Sequence, residues 1–176
     1  MAWTTPRTWT DVTSAASDAN TDIRDNQRAL KDPPSQNYEP NEASNYSVMA
    51  GISYTNVDTD FNFSLTTGGG DVLVSFVGCV SATTGGLDRS GYFDVSVDGT
   101  RIINDNAAGL AVYPNIAGSP KKLMSFTRLI TGLSAGAHTF NLQWRPVDGA
   151  TTMTLYAGAG TASYDVHGQF WARELT

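Results

Sequence analysis

One cysteine, Cys79, stands among 176 residues, so no intrachain disulfide can form and the fold must rest on packing. Within the apolar run Val72 to Val80 it reads as a small buried hydrophobe. Charge is sparse as well. Asp, Glu, Lys and Arg make up 16% of the chain, the net charge is -6, and no basic cluster exceeds the pair Lys121-Lys122. Such a surface repels a phosphate backbone, which removes nucleic acid from the expected partners, and the acidic balance reads as solubility. No apolar run approaches the roughly 20 residues that cross a bilayer, and no charged-then-apolar leader opens the chain. The expectation is a soluble protein without membrane insertion, made without a secretion signal.

The residues of catalysis are scarce too. A site needs a nucleophile with a base, a carboxylate pair or a metal cluster, and the chain has two histidines, His138 and His167. No Gly-x-Ser-x-Gly elbow, His-Glu-x-x-His helix, phosphate loop or Cys-x-x-Cys pair occurs. Asp58 and Asp60 share a loop, but two carboxylates fall short of the about six to eight oxygens that Ca2+ takes, and they read as solvated turn residues. Asp94 and Asp148 are conceivable as a glycosidase pair, although nothing in the sequence favours it. His138 alternates with Phe140 and Trp144 and reads as a hydrogen-bonded core or interface residue; His167 alternates with Gln169 and Trp171. The expectation is no enzyme, no cofactor and no metal.

What is present is alternation. Along Thr131 to Trp144 a Gly-rich turn leads into a strand with His138, Phe140, Leu142 and Trp144 on one side and Thr139, Asn141, Gln143 and Arg145 on the other, which predicts a hairpin with one buried face. Further strands are expected over Val48–Asn56 and Phe61–Thr66 as a pair, and over Asp71–Val80. Tyr92–Val97 and Thr100–Asn104 should pair around Asp98-Gly99, and Lys122–Ile130, Ala137–Arg145, Thr152–Tyr156 and Tyr164–Leu175 complete the set. The run from Asp71 is apolar on both faces, with Val72, Val74, Phe76 and Val80 opposed to Leu73, Val77 and Cys79, so it should be central. Residues 105–120 read as a long loop, either a binding loop or a crossover between sheets. Strands at this spacing argue a mainly β fold, an antiparallel jelly-roll sandwich with a short N-terminal α-helix.

The helix is expected over 11–31, closed by Pro33 and Pro34. Val12, Ala16, Ala19, Ile23, Asn26 and Leu30 repeat at heptad spacing, a seam for copies of the same helix or a face that lies on a sheet or neighbouring protein. Trp3 and Trp9 flank a proline ahead of it and should dock, onto a partner or back onto their own domain. Residues 1–32 thus form an N-terminal segment, 33–47 a polar linker and 48–176 a head.

Two stretches resemble a known group of proteins. Trp3-Thr-Thr-Pro-Arg-Thr-Trp9, with Ala19-Asn20-Thr-Asp-Ile23-Arg24-Asp25-Asn26 and Leu30-Lys31-Asp32-Pro33, resembles the N-terminal segment of tailed-bacteriophage virion proteins, mainly of the tail-fibre and minor-tail type. Gly70-Asp71-Val72-Leu73-Val74, Val97-Asp98-Gly99-Thr100, Gly132 to Trp144 and Phe170-Trp171-Ala-Arg173-Glu174-Leu175 are similar to the jelly-roll heads of phage fibres, which share an outline with C1q and tumour-necrosis-factor domains. The resemblance implies a homotrimer located in the virion and assembled in the host cytoplasm. Its first segment would join other virion proteins, and its head would serve as a tail knob, tail-tip or short-fibre module that binds a host cell-surface glycan or protein. Capsid decoration, as a cement or head-spike protein stabilising the shell, is the alternative. Asp58, Tyr92, Tyr113 and Tyr156 are the candidate exposed binding-loop residues.

Overall fold

The computed structural model describes residues 16–31, 33–38, 45–49, 51–84, 87–103, 105, 108–114, 121–156 and 168–175. Trp3, Trp9, Val12 and His167 lie outside the described residues, as does the 11–15 part of the expected helix. Helix α1 spans Ala16–Lys31, and Pro33 and Pro34, which cannot extend it, follow within three residues. None of its described side chains enters the core, and Ile23 and Leu30 remain 56% and 55% exposed.

The strands are β1 Ser35–Tyr38, β2 Tyr46–Met49, β3 Thr55–Asn56, β4 Asn62–Thr67, β5 Gly70–Thr84, β6 Leu87–Asp88, β7 Gly91–Val97, β8 Thr100–Arg101, β9 Ala111–Tyr113, β10 Lys122–Leu133, β11 Gly136–Pro146, β12 Thr152–Tyr156 and β13 Gln169–Leu175. All their pairings are antiparallel. In the seven-stranded sheet β5 is the spine: β10 and β6 follow one edge, while β13 and β12 lie end to end along the other, with β1 and β2 outside them. In the six-stranded sheet β11 is the spine, with β4 and β3 along one edge and β7 along the other, and β8 and β9 beyond β7. The centrality expected of the run from Asp71 holds.

Four expectations about pairing are corrected. The stretch Thr131 to Trp144 is not a hairpin, since β10 pairs with β5 in one sheet and β11 with β4, β7 and β3 in the other. The Gly132–Gly136 turn is an arch that carries the chain across the core, with φ of 68° at Gly132 and 139° at Gly136, values that favour glycine. Val48–Asn56 and Phe61–Thr66 do not pair either: β2 joins β12, while β3 and β4 both join β11. Ser35–Tyr38, inside the stretch expected as linker, is a sheet strand held by β13, so its register comes from backbone pairing rather than from apolar side chains. Lastly, the 105–120 stretch contains β9.

The Asp98-Gly99 hairpin forms as expected. Both turn residues have positive φ, 51° and 81°, the handedness that fits a two-residue connection between twisted strands.

Between the layers lies an aromatic core. Phe76, Phe126 and Phe170 come from the seven-stranded sheet, and Phe63, Phe93, Phe140 and Trp144 from the other. Phe76 stacks on Phe93 at 5.4 Å, Phe93 touches Trp144 at 6.2 Å, and Phe63 meets Phe140 at 5.5 Å and Phe170 at 5.0 Å. Rings therefore bridge the two sheets. Burying each such side chain stabilises by about 1.5–3 kcal/mol, so this ladder is the main adhesive between the layers. Gly78 makes room for it, because a Cβ there would fall 2.7 Å from the Phe76 ring and 2.8 Å from Leu155.

Candidate functional site

With the inner faces consumed by the core, function falls to the outer faces, and these differ. On β5 the outward row is Leu73, Ser75, Val77 and Cys79. Strand register sets Leu129, Thr127, Ser125 and Leu123 of β10 beside them, and Arg173, Trp171 and Gln169 of β13 on the other flank. Tyr156 of β12 stands opposite Cys79. Leu123, Leu129 and Leu175 are 66%, 42% and 44% exposed, and Leu73, Val77, Trp171 and Tyr156 are half-buried. Cys79 is buried, and that burial pushes its thiol up, away from reactivity. Exposed leucines thus share this face with Ser75, Ser125, Thr127, Gln169 and Arg173.

The outer face of the six-stranded sheet is polar and covered. Asp94, Ser96, Asn141 and Arg145 point outward, yet each is at least nine-tenths buried. Two segments of the chain lie over them. From the 101–108 side, Arg101 donates through Nε to Asp94 Oδ2 at 2.9 Å, and through Nη2 to the carbonyls of Asp105 at 2.8 Å and Ala108 at 3.1 Å. From the 52–56 side, Tyr54 donates to the carbonyl of Ala108 at 2.6 Å, and Ile52 presents its carbonyl to Arg145 Nη1 at 3.1 Å.

The Arg101 guanidinium lies 3.6 Å from the Tyr54 ring centre, and that of Arg145 lies 4.8 Å from Tyr92 and 5.9 Å from Tyr54. Arginines and tyrosines thus alternate in one stack. Burial raises the Tyr54 phenol to about 12, and burial also pushes the Asp94 carboxyl up against the pull of the Val95 amide and Arg101. Ser96 Oγ, Gln143 Oε1 and Arg145 Nε have no hydrogen-bond partner among the described residues. The Arg145 atom has the Tyr92 ring face nearby instead.

The residues read from sequence as exposed binding loops are not brought together. Asp58 caps the 3-10 turn Thr59–Phe61, accepting from the Asp60 amide at 3.1 Å and from Thr59 Oγ1 at 3.0 Å, while Asp60 accepts from Tyr46 at 2.7 Å. Tyr113 is a correction: it is fully buried, with the Lys122 ammonium 4.8 Å from its ring centre, because odd positions of β9 face the core. Tyr92 and Tyr156 are half-exposed on opposite sheets, Tyr156 beneath the Lys121 ammonium at 4.7 Å. Asp94 and Asp148 serve separate structures, the first the buried ion pair and the second a turn in which it accepts from Ala150 N at 3.0 Å and Thr151 Oγ1 at 2.8 Å. Of the seam residues, Ala16, Ala19, Ile23, Asn26 and Leu30 are all on α1.

Sequence reasoning missed the Arg–Tyr stack. Its members were visible only as the polar half of the alternation, and nothing local says that another segment will cover them. No protein-family model matches the chain, and no curated protein matches it.

Proposed function

We propose that this chain is a non-enzymatic bacteriophage virion structural protein, a homotrimeric tail knob, tail-tip or short-fibre module whose head meets the host surface. The observation that carries the reading is the set of exposed leucines Leu123, Leu129 and Leu175, flanked by Leu73, Val77 and Trp171, on one outer face of the sandwich, with no described segment across them. Surfaces of this composition are stable in water when a symmetry mate covers them. The exposed Ile23 and Leu30 of α1 pose the same requirement, which a helical seam or a socket on another virion protein meets.

Strand order supports a jelly roll. Counting β1, β4, β5, β7, β9, β10, β11 and β13 as one to eight, the sheets run one-eight-three-six and two-seven-four-five, the wrap of a doubled Greek key. The resemblance of residues 1–32 to virion anchors is what favours a place in the virion, and that segment would join the head to the particle.

Sedimentation of the full chain tests the assembly: three copies of 18.8 kDa should travel together. A monomer at micromolar concentration overturns the trimer. Antibody labelling of intact particles tests the location. Label at the tail tip supports host attachment, whereas label over the shell favours the second role, capsid decoration.

A further inference from the structure

His138 is nine-tenths buried at one end of the sandwich, and both of its ring nitrogens face acceptors. Nδ1 lies 2.7 Å from Asp98 Oδ2 and Nε2 lies 2.9 Å from the carbonyl oxygen of Ser134. A carbonyl has no proton to give, and the Asp98 carboxyl, half-exposed and held below its usual range by the Thr139 amide that donates to Oδ1 at 2.8 Å, is ionised. A neutral imidazole carries a single N–H. In either tautomer one of the two contacts would set lone pair against lone pair, so the geometry requires the imidazolium, which donates twice.

We propose that His138 is a proton-operated latch that ties the Asp98-Gly99 turn to the Gly132–Gly136 arch, closed when the ring is charged and loosened when it is neutral. The two segments belong to different connections of the fold, one a hairpin within the six-stranded sheet and the other the crossover between sheets. Their link continues. The Ser134 carbonyl also accepts from Thr67 Oγ1 at 2.9 Å; next along the chain, the Gly68 amide donates to both oxygens of buried Glu174 at 2.9 and 3.0 Å; and the Glu174 amide donates to the carbonyl of Pro34 at 2.9 Å. The latch therefore closes the end of the head that receives the chain from α1.

The charged groups around it are accounted for. Of the neighbouring carboxylates, Glu174 is held by Gly68 and Asp71 accepts from the Gly132 amide at 3.1 Å, while Arg101 is turned to Asp94. Strand β4, which places Leu65 opposite His138, brings no ionisable side chain, and neither do residues 133–135 of the arch. Asp98 is thus the one ionised partner of the ring among the described residues. Its hydrogen bond raises His138 above the ordinary imidazole range, with help from Ser134, and the Thr139 amide and His138 lower Asp98. The signs follow from linkage. The His138 contribution is complete below about pH 6.5 and is lost as pH rises through the higher folded value; the Asp98 contribution is complete above about pH 3.9 and is lost as pH falls through its depressed value. The latch is fully closed between these limits and opens toward alkaline pH.

The test uses the full chain. The His138 ring resonance, assigned by its absence from His138→Gln, is followed by NMR against pH, together with amide exchange at Thr139 and Gly68 corrected for base catalysis. The expected result is a midpoint above 6.5, with exchange at both amides accelerating by about tenfold or more through that midpoint. Asp98→Asn should lower the midpoint and weaken the pH dependence of exchange. A midpoint at or below 6.5 in the unaltered chain, or amide protection that ignores the titration, overturns the latch. Should His138→Gln fail to fold, the two-histidine spectrum compared with that of Asp98→Asn supplies the assignment and decides on the same criteria.

Discussion

The outer face of the six-stranded sheet holds a fully buried carboxylate, two guanidinium groups and two tyrosines, and the chain itself fastens them through Ile52, Tyr54, Arg101, Asp105 and Ala108. The outer face of the seven-stranded sheet holds leucines left 42% to 66% exposed, with no segment drawn across them among the described residues. The difference is instructive because both sheets obey the same alternation. A polar outer row offers donors and acceptors to which a loop can be fastened, and once fastened they are costly to break. An outer row with leucines at its ends gives a polar loop fewer groups to which it can be fastened. Hydrogen bonding closes one face within the chain, and on the other Leu123, Leu129 and Leu175 stay exposed.

Four changes break or sharpen that contrast, the largest first. Both faces rest on the shared core, so Trp144→Ala, at a site 1% exposed, should cost about 3–5 kcal/mol in urea unfolding. A loss under ~0.5 kcal/mol would contradict the inward assignment. Asp94→Ala removes the counter-charge of Arg101 beneath its cover; about 3 kcal/mol should be lost, with faster proteolysis after Arg101, and an unchanged stability would mean that the ion pair does not hold the loop. Tyr54→Phe deletes the bond to Ala108 and should cost about 1 kcal/mol. It should also abolish a tyrosine titrating near about 12 in alkaline absorbance spectra. Because that folded value lies above the usual phenol range, the intact chain should lose stability progressively between about pH 10 and 12 as unfolding releases the proton. The smallest effect on folding is expected from Leu129→Ser, within ~0.5 kcal/mol, although the same change should convert the proposed trimer to monomer in sedimentation. Loss of folding without loss of assembly would reverse the roles given to the two faces.

Much of the fold was legible because burial writes a period of two. The inward row of β11, the two-faced character of β5 and the Asp98-Gly99 turn were all readable from side-chain type and turn chemistry. Partners were not. The Gly132–Gly136 arch looks like a hairpin in sequence, since glycines at a sharp reversal and apolar alternation on both sides are common to each; only the distant strands β5 and β7 decide which edge receives each strand. Likewise Ser35–Tyr38 is polar and short, and its place comes from the edge that β13 offers. At the candidate site, Tyr92 and Tyr156 were visible as aromatics, but Tyr113 could not be separated from them, because its exposure depends on which way β9 faces.

The sequence by itself determined the class of structure. Alternation, a lone cysteine, two prolines after a heptad-like run and glycines at the reversals require a helix followed by an antiparallel sandwich held by packing. Tertiary structure alone decided that β10 and β11 part company, that Arg101 and Asp94 meet beneath Ala108 and Tyr54, that Leu123 and Leu129 of β10 are exposed, and that His138 has an acceptor on each side. Local patterns record how a residue should be buried and which turns the backbone can make. They do not record which remote segment does the burying, because that choice rests on contacts between residues far apart in the chain.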